Sequence, residues 1–284
     1  MKNVVIGAAF SAAACAASLG QVRVEMFPSA DATLYQHDAG ILANGSGAHA
    51  FIGSNLRFEQ IRRAVMRFNV AGALPAGAVV VSAELNLVVS RSQPVEAVFA
   101  IHRVTTAWSE GVSDPPEPEG QGTTSRTGDC TWVHKSYPGS RWTNPGGDFD
   151  AEALAWMTSY IPGNVSFVST PGFVGLVQGW VDEPGSNFGL LIKGVDESLE
   201  GSAKRIGSRE NPNVSWRPVL VVRYTVCAAD FNGDRFVDFF DFEAFVECLE
   251  GGGCPGDRDA DFNGDGFVDF FDFEAFVGAF EAGC

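Results

Sequence analysis

An 18-residue segment occurs twice near the C-terminus, as "ADFNGDRFVDFFDFEAFV" over 229–246 and "ADFNGDGFVDFFDFEAFV" over 260–277, with one substitution between the copies. Its constraint on folding lies in the spacing of oxygen-bearing side chains. Asp230, Asn232, Asp234, Asp238 and Asp241 fill positions 1, 3, 5, 9 and 12 of a twelve-residue loop, and Asp261, Asn263, Asp265, Asp269 and Asp272 repeat the pattern. Ca²⁺ takes about six to eight oxygens at roughly 2.3–2.6 Å, so a short loop encloses it when alternate side chains turn inward and position 7 adds its carbonyl. Phe236 and Phe267 stand at position 7. Four carboxylates in so short a loop repel one another unless a cation lies between them. The expectation is two Ca²⁺ ions, one per loop.

Position 6 of such a loop turns with a positive φ, which suits Gly266 but not Arg235. A left-handed non-glycine residue costs about 1 kcal/mol, so the first loop is expected to bind several-fold more weakly. After each loop apolar residues recur at helical spacing: Phe242, Phe245, Val246 and Leu249, then Phe273, Phe276, Val277 and Phe280. Each loop therefore opens one amphipathic helix. The glycines of "LEGGGC" end the first helix and turn the chain back, and Val237 and Val268 at position 8 are placed to pair across the loops.

Charge and cysteines follow the same boundary. Residues 227–284 hold 15 acidic against 2 basic side chains, most of the chain's net charge of −16. Such a tail repels nucleic acid and attracts cations. Residues 1–20 run from Lys2 through an apolar stretch into "AASLG", the layout of a secretory signal peptide, with Cys15 in "AAAC" as a lipobox alternative. No later segment has the unbroken apolar length needed to span a bilayer, so membrane insertion is not expected and the exported chain is expected to be extracellular or at the cell surface. Export places the cysteines where disulfides persist. Cys227, Cys248, Cys254 and Cys284 crowd the tail, and their near-symmetric spacing favours Cys227 with Cys284 and Cys248 with Cys254, leaving Cys130 over.

Residues 21–226 alternate apolar and polar. In "VVVSAELNLVVS" Val79, Val81, Ala83, Leu85, Leu87 and Val89 share one face, and Ala64, Met66, Phe68 and Val70 do the same in "RRAVMRFNV". Helical patterns are confined to short pieces near 151–159 and 174–181. Many short strands between Gly-, Pro- and Asn-rich turns predict a mainly β domain, an antiparallel β-sandwich of the jelly-roll kind. A small α-helical domain with the two EF-hand-type loops follows at 227–284.

The tail resembles the type I dockerins, with tandem DxNxDxxxDxxD loops, Asp at position 12 and no helix before the loop. The resemblance covers about residues 228–281. It implies Ca²⁺ binding and docking of secreted polysaccharide-degrading enzymes or accessory proteins to a cohesin-like or scaffold partner. Positions 10 and 11, often small hydroxyl residues in cellulosomal dockerins, are here Phe239 and Phe240, and again Phe270 and Phe271. They form either a hydrophobic docking surface or part of the core of a module short of core.

Across the larger domain, "RRAVMRFNVAGALPAGAVVVSAELNL", "HRVTTAWSEG", "LVQGWVDEPGSNFGLLIKG" and "RIGSRENPNVSWRPVLVVRYT" are similar to DNRLRE domains, which are related to family 96 carbohydrate-binding modules. That resemblance implies a β-sandwich of secreted proteins, some members of which bind acidic polysaccharide. One long irregular segment, 109–150, offers Trp132, Tyr137 and Trp142 for stacking on a glycan, with Lys135 and Arg141 for uronic acids. Alternatively these rings cover the end of the core. Asp31, Asp148 and Asp150 are a further metal candidate without regular spacing, and Glu110 in "WSEG" reads as a turn residue. No nucleophile elbow, phosphate loop or zinc spacing is present, and no carboxylate pair is nominated for glycoside cleavage. The sequence therefore reads as a non-catalytic binder of extracellular polysaccharide or glycan, with two alternatives: a polysaccharide-degrading enzyme, or a structural cell-envelope protein.

Overall fold

A computed structural model describes residues 21–56, 60–234, 236–256 and 258–283. The expected signal peptide, Arg235 and Cys284 lie outside these residues. The protein is mainly β, with a large curled antiparallel sheet and three short α-helices. Residues 21–226 and 227–283 belong to separate compact units.

In the larger unit the main sheet has eleven strands. They are β1 (Val22–Met26), β2 (Ala30–Tyr35), β3 (His49–Ser54), β4 (Ile61–Arg67), β5 (Val79–Ser92), β6 (Ala97–Arg103), β7 (Ala155–Ser159), β8 (Gly163–Phe167), β9 (Leu190–Gly194), β10 (Lys204–Gly207) and β11 (Val219–Thr225). The neighbours run β1-β11-β5-β10-β3-β4-β9-β6-β7, with β8 also on β5 and β2 also on β4. The sheet turns at β3, where His49 to Ile52 pair with β10 but Gly53 and Ser54 pair with β4.

Strand β5 shows how alternation becomes burial and where it slips. Ala83, Leu85, Leu87 and Val89 are buried as their period demands, but Val80 is buried while Val79 and Val81 are exposed. The pairing with β11 shifts register here, from Ser82↔Arg223 to Val80↔Tyr224. A β-bulge accommodates the extra residue, and beyond it every side chain changes face. Strand β4 is buried on both faces: Ala64 and Met66 enter the main core, whereas Val65 enters a second cluster with Leu34, Val104, Trp108 and Leu191. Two apolar faces explain the three consecutive apolar residues Ala64, Val65 and Met66 within this strand.

Of the two expected helical pieces one forms, as α1 (Pro171–Asp182). Thr170 caps it, accepting the Phe173 N–H at 3.1 Å, and Pro171 sits in the first turn, where its missing N–H costs nothing. Phe173, Leu176, Val177, Trp180 and Val181 form its buried stripe. The piece near 151–159 is instead strand β7 on β6, with Ala155, Met157 and Ser159 turned inward.

In the smaller unit α2 (Phe239–Leu249) and α3 (Phe270–Ala282) each begin with a capping box, Asp238 with Asp241 and Asp269 with Asp272. Phe245 and Phe276, the same position of the two repeats, stack with ring centres 4.2 Å apart and planes 9° from parallel. Phe231, Cys248 and Ala260 complete the buried centre. Cys248 and Cys254 are disulfide-bonded. Cys227 is disulfide-bonded too, its expected partner Cys284 lying outside the described residues. Cys130 is a free, buried thiol in the larger unit. Val268 is half exposed, and among the described residues no backbone hydrogen bond links it to Val237.

Candidate functional site

Each repeated loop turns its backbone N–H groups onto its own side-chain oxygens. In the second loop Asp261 accepts from Gly264 (2.9 Å), Asp265 (3.1 Å) and Gly266 (2.8 Å). Asn263 accepts from Asp265, Asp265 from Phe267 and Asp269 from Phe271. In the first loop Asp230 accepts from Gly233, Asn232 from Asp234, Asp234 from Phe236 and Asp238 from Phe240. Asp241 and Asp272, at position 12, are buried, and each reaches back to two N–H groups: Asn232 and Asp238 for one, Asn263 and Asp269 for the other. Those N–H groups hold the Asp272 carboxyl below the usual carboxylate range. Gly266 takes φ +87°, the left-handed turn that position 6 requires.

The donor set suits a hard cation, since every side-chain ligand is a carboxylate or amide oxygen. Arg258, the one described basic residue of this unit, donates to the Cys227 and Asp230 carbonyls (3.4 and 2.7 Å) rather than to a loop carboxylate. The loops do not draw three carboxylates into a tight knot. Among the described residues, the groups of three His, Cys, Asp or Glu side chains with ligand atoms within 4.8 Å lie in the larger unit.

Phe239, Phe240, Phe270 and Phe271 are 69, 63, 70 and 62 % exposed, so they do not supply the missing core. They occupy the first two positions of α2 and α3, off the stripe that Asp241, Phe245 and Cys248, or Asp272 and Phe276, turn inward. Phe236 and Phe267 are also exposed, since position 7 offers a ligand through its carbonyl and leaves its ring free.

The irregular segment of the larger unit is arranged differently from the glycan platform expected of it. Trp132 and Trp142 are buried in the second cluster. The Arg63 guanidinium lies 4.7 Å from the Trp132 ring, and Trp142 Nε1 donates to the Thr131 carbonyl at 2.9 Å. Neither ring is open for stacking, because both close the end of the core beside β4. Tyr137 packs edge-on to His134 at 5.0 Å, Lys135 donates to Thr106 Oγ1 at 3.1 Å, and Arg141 is exposed. The five residues do not make one surface.

Two clefts were not legible in the sequence. One of about 250 Å³ is lined by Arg62, Arg91, Lys204, Arg205 and Phe51. Lys204 is wholly buried, its Nζ donating to the carbonyls of Gln93, Val95 and Tyr160, and burial lowers its pKa. Arg91 is exposed at the rim. The second, about 400 Å³, runs beside α1 and is flanked by Asp150, Glu152, Asp182 and Glu183, with Arg103 and Trp180.

The third metal candidate is also rearranged. Asp148 accepts from the Thr143 and Asn144 N–H groups in its own loop, and the Asp150 N–H pairs with the Arg103 carbonyl. Asp31 instead meets Glu110 and Glu210, so Glu110 is more than a turn residue. Burial, then the nearby Glu210, pushes Asp31 up to about 8, and burial with Glu110 raises Glu210 to about 7. His49, Glu117 and Glu119 form the other close group, with His49 Nδ1 3.2 Å from Glu119 Oε1. No protein-family model and no curated protein sequence matches this chain.

Proposed function

We propose that the chain is a secreted, non-catalytic attachment protein, in which a dockerin-like C-terminal unit organised by two Ca²⁺ ions docks on a cohesin-like or scaffold protein. The larger unit is on this reading a jelly-roll β-sandwich of the DNRLRE and family 96 carbohydrate-binding kind, and its ligand is an extracellular polysaccharide. The sharp turn of the sheet at β3 supports the sandwich, and the Cys248–Cys254 disulfide supports an oxidising, extracellular setting.

The observation that carries the reading is the exposure of Phe239, Phe240, Phe270 and Phe271 at equivalent places of both repeats. Exposed aromatic residues so concentrated in a small unit mark an interaction surface. The loops place them, because Asp241 and Asp272 close each loop and occupy the third position of the helix whose first turn carries the rings. Capture of proteins from an extracellular fraction, by the full chain in Ca²⁺ and in EDTA, tests the reading. One specific partner, retained in Ca²⁺ and lost both in EDTA and on changing the four phenylalanines to serine, is the expected result. Identical capture by the variant refutes the docking face.

For the larger unit the cleft of Arg62, Arg91, Lys204 and Arg205 replaces the buried tryptophans as the glycan candidate, and its charge favours a polyuronate. Affinity electrophoresis should show retardation by acidic and not by neutral polysaccharides, weakened in Arg91→Ala. A second reading, a polysaccharide-degrading enzyme, draws on the four carboxylates around the α1 cleft, the residue type glycoside cleavage needs. New reducing ends in the same panel would favour it.

A further inference from the structure

Three segments far apart in sequence bring carboxylates to one point of the larger unit. Asp31 lies in β2, Glu110 just after Trp108, and Glu210 shortly after β10. Each offers an oxygen, and these ligand atoms lie within 4.8 Å of one another. Two oxygens bound to one Ca²⁺ at about 2.4 Å can be no more than about 4.8 Å apart. The three already have the spread of one coordination sphere.

Among the described residues Arg209 is the cation in contact with the group, and Arg217 acts on Glu210 from farther off. The Arg209 Nε and Nη2 each lie 2.7 Å from a Glu110 oxygen, and Nε also lies 2.8 Å from Glu210 Oε1. Asp31, 3 % exposed, receives one hydrogen bond on its side chain, from the Arg209 backbone N–H to Oδ2 at 2.7 Å. Its Oδ1 has no donor among the described residues. Glu210 Oε2 is buried without a hydrogen-bond partner among the described residues. A buried carboxylate oxygen without a donor is costly, and Glu210 Oε2, in close reach of Asp31 and Glu110, makes a place for a cation.

We propose that Asp31, Glu110 and Glu210 hold one divalent cation that ties these three segments together, a site separate from the repeated loops. The ligands are all carboxylate oxygens, which selects a hard ion such as Ca²⁺ or Mg²⁺ over soft transition metals. Ionised in full, the three carboxylates beside Arg209 would leave a net two negative charges, which one divalent ion neutralises. Water supplies the remaining positions, as oxygen-rich sites commonly allow.

The six tryptophans and four tyrosines all lie within residues 35–224, and residues 227–284 contain neither. Tb³⁺ excited through these rings therefore probes the larger unit, with Trp108 two residues from Glu110. In the full chain we expect saturable Tb³⁺ luminescence, displaced by Ca²⁺, that persists in Asp230→Ala/Asp261→Ala. It should weaken at least tenfold in Glu210→Gln and vanish in Asp31→Asn/Glu210→Gln. Luminescence that is absent, or indifferent to the last two variants, overturns the site. Because a buried change such as Asp31→Asn can itself unfold the unit, a second measurement leaves the triad intact. In the Asp230→Ala/Asp261→Ala chain, Ca²⁺ must raise the midpoint of thermal unfolding followed by tryptophan fluorescence. No rise with either Ca²⁺ or Mg²⁺ also overturns the site. The docking reading does not enter, since loops that bind no ion would leave both measurements unchanged.

Discussion

The two units hold their folds by different means. The larger packs many aliphatic and aromatic side chains, from Ile52 and Met66 to Val222, into a main core backed by a second cluster. The buried cluster of the smaller unit is Phe231, Phe245, Cys248, Ala260 and Phe276, and this unit carries the protein's acidic excess. A chain of fewer than about 60 residues buries too small a fraction of its apolar surface to offset the entropy of ordering, so staples become necessary. The Cys248–Cys254 disulfide is one, and the disulfide that Cys227 forms is another. The others, on our reading, are the two ions. On the same reading, the carboxylates that would bind the cations repel one another without them.

The largest expected effect comes from removing the ions. In excess EDTA with disulfides reduced, the helical circular dichroism of α2 and α3 should be lost, while tryptophan emission keeps its folded maximum because every tryptophan belongs to the larger unit. A helical signal that survives would show that the small core suffices alone. A red shift in emission would show that the units are not independent in stability.

Truncating one core side chain in each unit sharpens the same contrast. Phe276→Ala removes the stacked partner of Phe245 and should cost about 3–5 kcal/mol, enough to unfold a marginal unit even in Ca²⁺. Leu85→Ala, at a fully buried position of β5, should cost about 2–5 kcal/mol and leave the larger unit folded with a lower melting temperature. Calorimetry on the two variants reads both. If Phe276→Ala merely lowers a cooperative transition, the smaller unit has more reserve than its core implies.

What the sequence made legible divides along the same line. The loop pattern could be read directly because its oxygen-bearing side chains lie within twelve residues, and the local hydrogen bonds that shape each loop are set by those same residues. Phe245 and Phe276 could be placed inside by helical period alone. The Asp31, Glu110 and Glu210 group had no such signal. Its members stand 79 and 100 residues apart and meet only after β2, β10 and the loop beyond β6 are in place. The cleft of Arg62, Arg91, Lys204 and Arg205 was hidden for the same reason. Trp132 and Trp142 left two readings open because a loop aromatic looks alike in sequence whether it covers a core or faces solvent. The bulge at Val81 escaped because alternation fixes a face only while the register is unbroken.

A smaller effect, confined to the larger unit, comes from His102. Its Nδ1 lies 2.9 Å from the Asp150 carbonyl, and its ring packs edge-on against Phe149 at 5.1 Å. Desolvation lowers its pKa below the ordinary 6.5, against the hydrogen bond to Asp150 and with help from the nearby charges of Lys193 and Arg63. A base with a depressed folded pKa takes up its proton more readily in the unfolded chain. The larger unit should therefore keep this contribution above about pH 6.5 and lose it as pH falls through 6.5 towards the folded value. The acidic unit has no histidine and cannot share the effect. Denaturant unfolding followed by tryptophan fluorescence, compared between wild type and His102→Gln across this interval, isolates it. The wild-type stability should fall faster with acid than that of the variant, and parallel curves would mean that His102 is as easily protonated folded as unfolded.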